Sequence, residues 1–153
     1  MRVLELKVPP PAVALVTAVL MWLASRSLPG LAFVFPADNL LAVGLAAIGL
    51  IVAISGVVTF RRARTTLNPT KPETSTSLVS WGIYKITRNP MYLGLLLQLT
   101  AWASFLSNWI AVLFLPVFVV YINRFQIVPE EQALTSLFAS EFVAYQSRVR
   151  RWL

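Results

Sequence analysis

Two short polar clusters in this sequence could carry chemistry. Arg88, Asn89 and Tyr92 stand at the start of a long uncharged segment, and Glu130 and Glu131 follow its end. The chain contains no Cys and no His, which excludes thiol nucleophiles, Cys or His metal sites and His acid–base catalysis. Catalysis would therefore rely on carboxylates, Tyr, Lys, Arg, amides or a bound organic cofactor, and we expect no metal site.

Each of these residues also has an ordinary structural explanation. Arg88 and Tyr92 are typical anchors at a membrane interface, and Glu130 and Glu131 suit the positive end of a helix dipole. Their pairing favours a site, because the two clusters lie at the two ends of one predicted helical hairpin. We therefore expect a pocket between them, with one wall in water and one in lipid.

The composition indicates an integral membrane protein. Of 153 residues, 58% are hydrophobic and 12% are charged, whereas about a quarter of residues are charged in a soluble domain. The net charge of +7 comes from basic residues just outside apolar runs, where lipid headgroups and insertion topology account for them. We expect no nucleic-acid partner.

The elements that would position the two clusters are four spanning helices. The 33 uncharged residues from Met91 to Asn123 would make a helix of about 50 Å, too long for a single ~30 Å crossing. A polar dip at Ser104, Ser107 and Asn108 predicts the tip of a hairpin. We predict a single all-α membrane domain over residues 1–153, with spans at about 9–26, 39–60, 89–106 and 108–128, a cytoplasmic loop 61–88 and a C-terminal helix 129–150.

Charge and periodicity orient these elements. Lys and Arg are concentrated in the middle loop and the tail, so the positive-inside rule places the N-terminus, the loop and the C-terminus in the cytoplasm. The tail repeats apolar residues at helical spacing through Leu134, Phe138, Phe142, Tyr145 and Val149, which predicts an amphipathic helix. The host membrane is expected to be a bacterial or archaeal inner membrane or one like the endoplasmic reticulum.

The two clusters together carry a resemblance to a known family. The pattern G-x-Y-x-x-x-R-N-P-M-Y-x-G covers Gly82–Gly94, and E-E-x-x-L-x-x-x-F-x-x-E-F-x-x-Y covers Glu130–Tyr145. In this order, around a hairpin, they resemble the isoprenylcysteine carboxyl methyltransferase and phospholipid methyltransferase family of integral membrane enzymes. The resemblance covers roughly residues 60 to 153.

The resemblance implies a cofactor, S-adenosylmethionine, in a cytoplasm-facing pocket formed by the loop, the start of the third span and the C-terminal helix. Glu130 matches the family glutamate that binds this methyl donor. The acceptor would be a lipophilic molecule or lipidated substrate from the bilayer, either a prenylcysteine-like carboxylate or a lipid headgroup. The cofactor-binding residues it implies are Thr76, Ser77, Leu78, Val79, Tyr84, Arg88, Asn89, Pro90, Met91, Tyr92, Glu130 and Glu131.

The sequence departs from the family pattern at two positions. Asn89 replaces the usual histidine, and an amide forms hydrogen bonds without titrating near neutral pH. Gln126 stands where the prenylcysteine enzymes have an arginine that meets the substrate carboxylate, and Arg124 is the nearest cation. We expect Arg124 and Gln126 to bind the acceptor, and Arg124 and Glu130 to act as the catalytic pair.

Two other functions remain open from the sequence. Membrane reductases of the sterol type resemble the C-terminal pattern but use a nicotinamide cofactor and have many more spans. A non-enzymatic membrane scaffold would use Glu130 and Tyr92 only as cap and anchor. Binding of the methyl donor, lost on substitution of Glu130, distinguishes the methyltransferase from both.

Overall fold

The computed structural model of the chain describes residues 5–34, 38–63 and 77–153. Within these ranges the prediction of an all-α chain is confirmed, since helices follow one another without a named strand. The five α-helices are α1 (Pro10–Ser27), α2 (Asp38–Arg62), α3 (Pro90–Leu106), α4 (Trp109–Ile122) and α5 (Val128–Arg148). Short 3₁₀ turns lie at Pro29–Leu31 and Gly82–Lys85, and a π-helical segment at Asn123–Ile127 joins α4 to α5.

Three helical stretches are long and apolar enough to cross a membrane in the part of the chain that is described. They are Pro10–Ser27, Asn39–Arg62 and the stretch Trp109–Arg148, whose backbone is non-helical at Ala139 (φ 41°). The 17 residues of α3 are also apolar but extend only about 26 Å at 1.5 Å per residue. Large apolar side chains are exposed around the outside, among them Leu15, Ile51 and Val120, as expected for lipid contact.

The tip between α3 and α4 is fixed by local hydrogen bonds. Ser107 ends α3 with a left-handed backbone (φ 45°), and the Asn108 side chain caps α4 by accepting from the Ile110 N–H at 3.0 Å. The Asn108 amide also donates to the Leu28 carbonyl at 3.0 Å. The hairpin tip is therefore attached to the end of α1.

Helices α2 and α3 cross with their backbones close together. A Cβ added at Gly94 would lie 2.7 Å from both the Ala53 Cβ and the Gly49 carbonyl oxygen. Small residues allow this approach, as is common where helices associate in lipid. The Gln98 side chain adds a hydrogen bond of 2.7 Å to the Ala46 carbonyl, so α3 is held against α2 along its length.

Two apolar clusters surround the region where the polar residues meet. The larger one packs α1, α3 and α4 through buried side chains that include Met21, Ala103 and Phe118. The smaller one packs Phe142 and Tyr145 of α5 against Val79 and Tyr84. The amphipathic face of α5 therefore folds back on the segment that precedes α3.

Candidate active site

The start of α3 is shaped by its sequence. Pro90 occupies the first helical turn, where the missing N–H costs nothing. Asn89 precedes the helix without capping it; its side-chain amide donates instead to the Arg151 carbonyl at 2.9 Å. One turn into the helix, Tyr92 is buried and faces α5. The residue that replaces the family histidine thus binds the C-terminal segment of its own chain.

Tyr92 and Glu130 form the central contact between α3 and α5. The Tyr92 hydroxyl donates a short hydrogen bond to Oε1 of Glu130. Glu130 is in the first turn of α5, beyond the apolar helix α4 (Trp109–Ile122). Burial raises the pKa of Glu130 to about 8, the Tyr92 hydrogen bond lowers it in part, and the neighbouring Glu131 charge raises it. Glu130 is therefore largely protonated at neutral pH unless a cation lies against it, and no Lys or Arg of the described residues pairs with it.

Glu131, the next residue, has the opposite environment. Its Oε1 accepts from Arg88 Nη2 at 3.0 Å, and its Oε2 accepts from Arg151 Nη2 at 2.5 Å. Arg151 Nε also lies 3.1 Å from Oε1, so the Arg151 guanidinium grips the carboxylate at two points. Glu131 is thus held by two arginines.

Tyr84 forms the loop side of the site. Gly82 has a left-handed backbone (φ 62°) and lies close to the Thr59 hydroxyl, which starts the 3₁₀ turn that carries Tyr84. The Tyr145 hydroxyl donates to the Tyr84 carbonyl at 2.7 Å. Burial, with a smaller contribution from the Tyr145 and Glu130 charges, raises the pKa of Tyr84 far above its ordinary value, and burial raises that of Tyr145 to about 12. Both tyrosines are neutral hydrogen-bonding groups at physiological pH.

Four buried side-chain atoms have no hydrogen-bond partner among the described residues. They are Ser77 Oγ, Tyr84 Oη, Arg88 Nε and Gln126 Oε1. Buried polar atoms in native proteins are nearly always paired, so each such atom calls for an explanation. All four belong to residues that the sequence assigns to cofactor or acceptor binding.

The other predicted site residues are more dispersed. Leu78 and Val79 lie in the smaller apolar cluster, Met91 faces Gly56 of α2, and Thr76 lies outside the described residues. Arg124 pairs with Glu5 at 2.8 Å and is partly exposed, so its described ion pair is with the N-terminal segment rather than with Glu130. Gln126 is fully buried in the π-helical segment and donates to the Val8 carbonyl at 2.8 Å.

Sequence reasoning missed Arg151, which the sequence indicates only as one of the basic residues of the tail that orient the chain in the membrane. Its guanidinium and carbonyl contact Glu131 and Asn89, two predicted site residues. The carbonyl of Gln146, which accepts from Arg88 Nη1 at 3.3 Å, was missed as well. The only signal was indirect. Two adjacent glutamates near a helix end require cations, and Arg124, the basic residue nearest to them in the sequence, pairs with Glu5 instead.

A comparison with protein families decides what this arrangement belongs to. The family model described as phospholipid methyltransferase matches residues 37–141. The chain belongs to this family. The match includes the α3 start and both glutamates but ends before Arg151. The resemblance inferred from the two sequence clusters is thereby confirmed.

Other comparisons add relatives but no further activity. An uncharacterized protein of Haemophilus influenzae is 49% identical over 63 residues, which is 41% of this chain and the whole of that relative. No solved structure matches the chain. As a member of the phospholipid methyltransferase family, the protein is a methyltransferase for lipid-like substrates, with helices suited to a membrane.

Proposed function

We propose that this phospholipid methyltransferase family member transfers a methyl group from S-adenosylmethionine to a lipophilic acceptor drawn from the bilayer. The observation that carries the proposal is a set of buried atoms without hydrogen-bond partners among the described residues. Two of them belong to Tyr84 and Arg88, which interact with Glu130 and Glu131, and the third is Ser77 Oγ. Burying such groups without partners costs roughly 1–3 kcal/mol each. A polar ligand that completes their hydrogen bonds would remove this cost.

The chemistry of these groups fits the methyl donor. Arg88 Nε belongs to a cationic guanidinium, and its N–H has no hydrogen-bond acceptor among the described residues. It suits the carboxylate group of S-adenosylmethionine. Glu130 suits an ammonium or hydroxyl group, and the Tyr84 and Ser77 hydroxyls both donate and accept. S-adenosylmethionine when bound supplies an activated methyl group on a sulfonium. The residues Ser77–Val79, Tyr84, Arg88–Tyr92, Glu130 and Glu131 would surround it, with Glu131 acting through its arginines.

The protein's contribution to such a transfer is alignment and exclusion of water. Displacement at a methyl carbon requires the acceptor atom, the carbon and the leaving group in line, and positioning supplies much of the acceleration. The neutral side chains of Tyr84 and Tyr92, both of which are buried, would orient the polar ligand and limit the access of water. No cluster of His, Cys, Asp and Glu suited to a metal occurs among the described residues.

The acceptor would enter from the lipid side along α1 and α4. An apolar groove between these helices is lined by side chains such as Val13, Leu20 and Val117, and it reaches Val8. The Val8 carbonyl accepts from the Gln126 amide, whose Oε1 has no partner among the described residues. A hydrocarbon chain fits the groove, and an unpaired acceptor oxygen favours a headgroup with N–H or O–H donors over a carboxylate. We therefore favour a lipid headgroup over a prenylcysteine carboxylate, with Arg124 near its polar end.

Calorimetric titration of the detergent-solubilised protein with S-adenosylmethionine, and separately with NADPH, tests the proposal. We expect saturable binding of the first alone, weakened at least about tenfold by Glu130→Gln because a charged hydrogen bond is lost. Gln132→Ala, at an exposed neighbour on the same helix, is the matched control and should bind like the parent. Binding of NADPH alone would point to a reductase, and binding of neither, in a folded protein, would contradict the proposed function.

A further inference from the structure

The C-terminal residues form a strap across the start of α3. The Arg88 N–H donates to the Arg150 carbonyl at 3.0 Å. The Arg151 carbonyl accepts from Asn89 at 2.9 Å and from the Thr87 hydroxyl at 3.3 Å. We call residues Arg150–Trp152 the C-terminal strap. It connects the start of α3 to the end of the chain, 62 residues away.

The strap is also fastened at its far side. The Trp152 indole N–H donates to Asn123 Oδ1 at 3.1 Å, where the π-helical segment begins, and its ring packs on the larger apolar cluster. The Arg151 side chain between these attachments reaches Glu131 of α5 at 2.5 Å. One tripeptide therefore joins α3, the π-helical segment and α5, the three elements around Glu130.

This arrangement gives the two adjacent carboxyl groups different tasks. Both arginines that reach this part of α5 bind Glu131, while Glu130 receives the Tyr92 hydroxyl. Compensating the charge on Glu131 reduces its repulsion of a second negative charge one residue away. Glu130 can then ionise when a cationic ligand binds, because neither of these arginines forms an ion pair with its carboxyl group.

We propose that Arg151 is a positioning residue of the methyl-donor site: by gripping Glu131 at two points, it leaves Glu130 as the carboxyl group available to the donor. This inference rests on the proposed function and deepens it. Arg151 itself touches no reacting atom. It acts through Glu131, and the strap hydrogen bonds from Thr87 and Asn89 hold it in place.

The sign of its effect follows from the groups that face Glu130. These are Tyr92 from α3, Tyr84 from the 3₁₀ turn and Glu131 from α5, while Arg88 and Arg151 reach Glu131. Arg151→Gln leaves Arg88 as the single cation on Glu131 among the residues that the structure describes, so more negative charge faces Glu130. Ionisation of Glu130 then requires a higher pH, and donor binding that depends on ionised Glu130 moves with it.

The experiment measures the affinity for S-adenosylmethionine between pH 6 and pH 9.5 in the parent, Arg151→Gln, Arg151→Lys and Arg148→Gln. We expect Arg151→Gln to move the midpoint of the pH profile up by about one unit, so that affinity falls several-fold to tenfold at pH 7 and recovers at pH 9.5. Arg151→Lys keeps the charge and should restore most of the midpoint. Arg148, an exposed arginine that contacts a carbonyl of its own helix, is the matched control and should leave the profile unchanged.

An equal loss of affinity at every pH in Arg151→Gln would show a structural role and overturn the inference, as would an unchanged profile. A second measurement requires no donor. The thermal stability of the ligand-free protein should decline with pH over a range that extends higher in Arg151→Gln than in the parent. If the parent binds no S-adenosylmethionine, the proposed function fails, while this stability profile still supports or overturns the effect of Arg151 on Glu130.

Discussion

Glu130 and Glu131 are neighbours in sequence but differ in almost every physical property that matters for binding. Glu131 forms salt bridges with two guanidinium groups, those of Arg88 and Arg151. Glu130 lies partly buried against Tyr92, and its desolvation raises its pKa to about 8. A buried carboxyl group of raised pKa in a polar cluster is a typical feature of a functional site.

We predict that donor binding near pH 7 releases close to one proton. A pKa of about 8 leaves Glu130 mostly protonated in the free protein at that pH, and a cationic ligand favours the ionised carboxylate. Calorimetry in buffers of different ionisation enthalpy measures the released proton. Glu130→Gln, which cannot ionise, should release none; equal release by both proteins would contradict a role for Glu130.

The same group makes stability depend on pH. Its folded-state pKa of about 8 lies above the ordinary value of 4.5, so the native state holds a proton that the unfolded state loses. The stabilising contribution is complete below about pH 4.5 and is lost as pH rises through about 8, at no more than about 1.4 kcal/mol per unit. Thermal unfolding of the ligand-free protein should show this decline, and Glu130→Gln should flatten it. A slope that persists in the variant would assign it to another group.

At the scale of elements, the site depends on how closely α3 lies against α2. The contact of Gly94 with Gly49 and Ala53 leaves no room for a side chain at its centre. Gly94 lies two residues beyond Tyr92 in the first turns of α3. A change in the distance between these helices would therefore move Tyr92 relative to Glu130.

We predict that Gly94→Ala destabilises the protein by about 1–3 kcal/mol, because the new methyl group would force α2 and α3 apart. Gly44→Ala is the matched control on α2, where an added Cβ meets nothing within 4 Å. That variant should be neutral or gain up to about 1 kcal/mol from higher helix propensity. Thermal unfolding in detergent compares the two, and an equal effect of both substitutions would argue against a close helix crossing.

At the scale of the whole molecule, the polar site and the hairpin tip lie at opposite ends of α3. The site gathers the α3 start, the beginning of α5 and the C-terminal strap, whereas the tip at Asn108 is attached to the end of α1. Basic residues are abundant in the two sequence segments next to the site, the loop before α3 and the C-terminal tail. The positive-inside rule therefore predicts that the site faces the cytoplasm.

Cysteine accessibility tests this orientation without interference, because the natural chain has no Cys. We expect Gly30→Cys, at the tip end, to react with a membrane-impermeant maleimide added outside intact cells. Ser140→Cys, at an exposed position of α5, should react only after the membrane is opened. Reaction of Ser140→Cys in intact cells would reverse the predicted topology.

The sequence by itself determined the class of this protein and the neighbourhood of its site. Uncharged apolar segments of about 20 residues or more are long enough to cross lipid as helices, which satisfy all of their own backbone groups. Segment length and composition therefore predict an all-α membrane chain. Helices α3 and α4 are joined by a tight turn and run antiparallel. The polar residues at the start of α3 and after the end of α4 therefore lie at the same end of the hairpin. Residues Arg88 to Tyr92 and Glu130 could be chosen on that basis.

Only the tertiary structure decided which residues of the candidate site contact one another. The partner of Asn89 is 62 residues away and the second cation on Glu131 is 20 residues away. Such large separations in sequence lie beyond the few residues over which helix or strand periodicity relates one side chain to another. No local pattern in the sequence could therefore indicate these contacts. Burial, which separates the pKa of Glu130 from that of an ordinary carboxyl group, likewise arises only when α3, α5 and the strap pack around it, because desolvation depends on the atoms that surround a group and not on its neighbours in the chain.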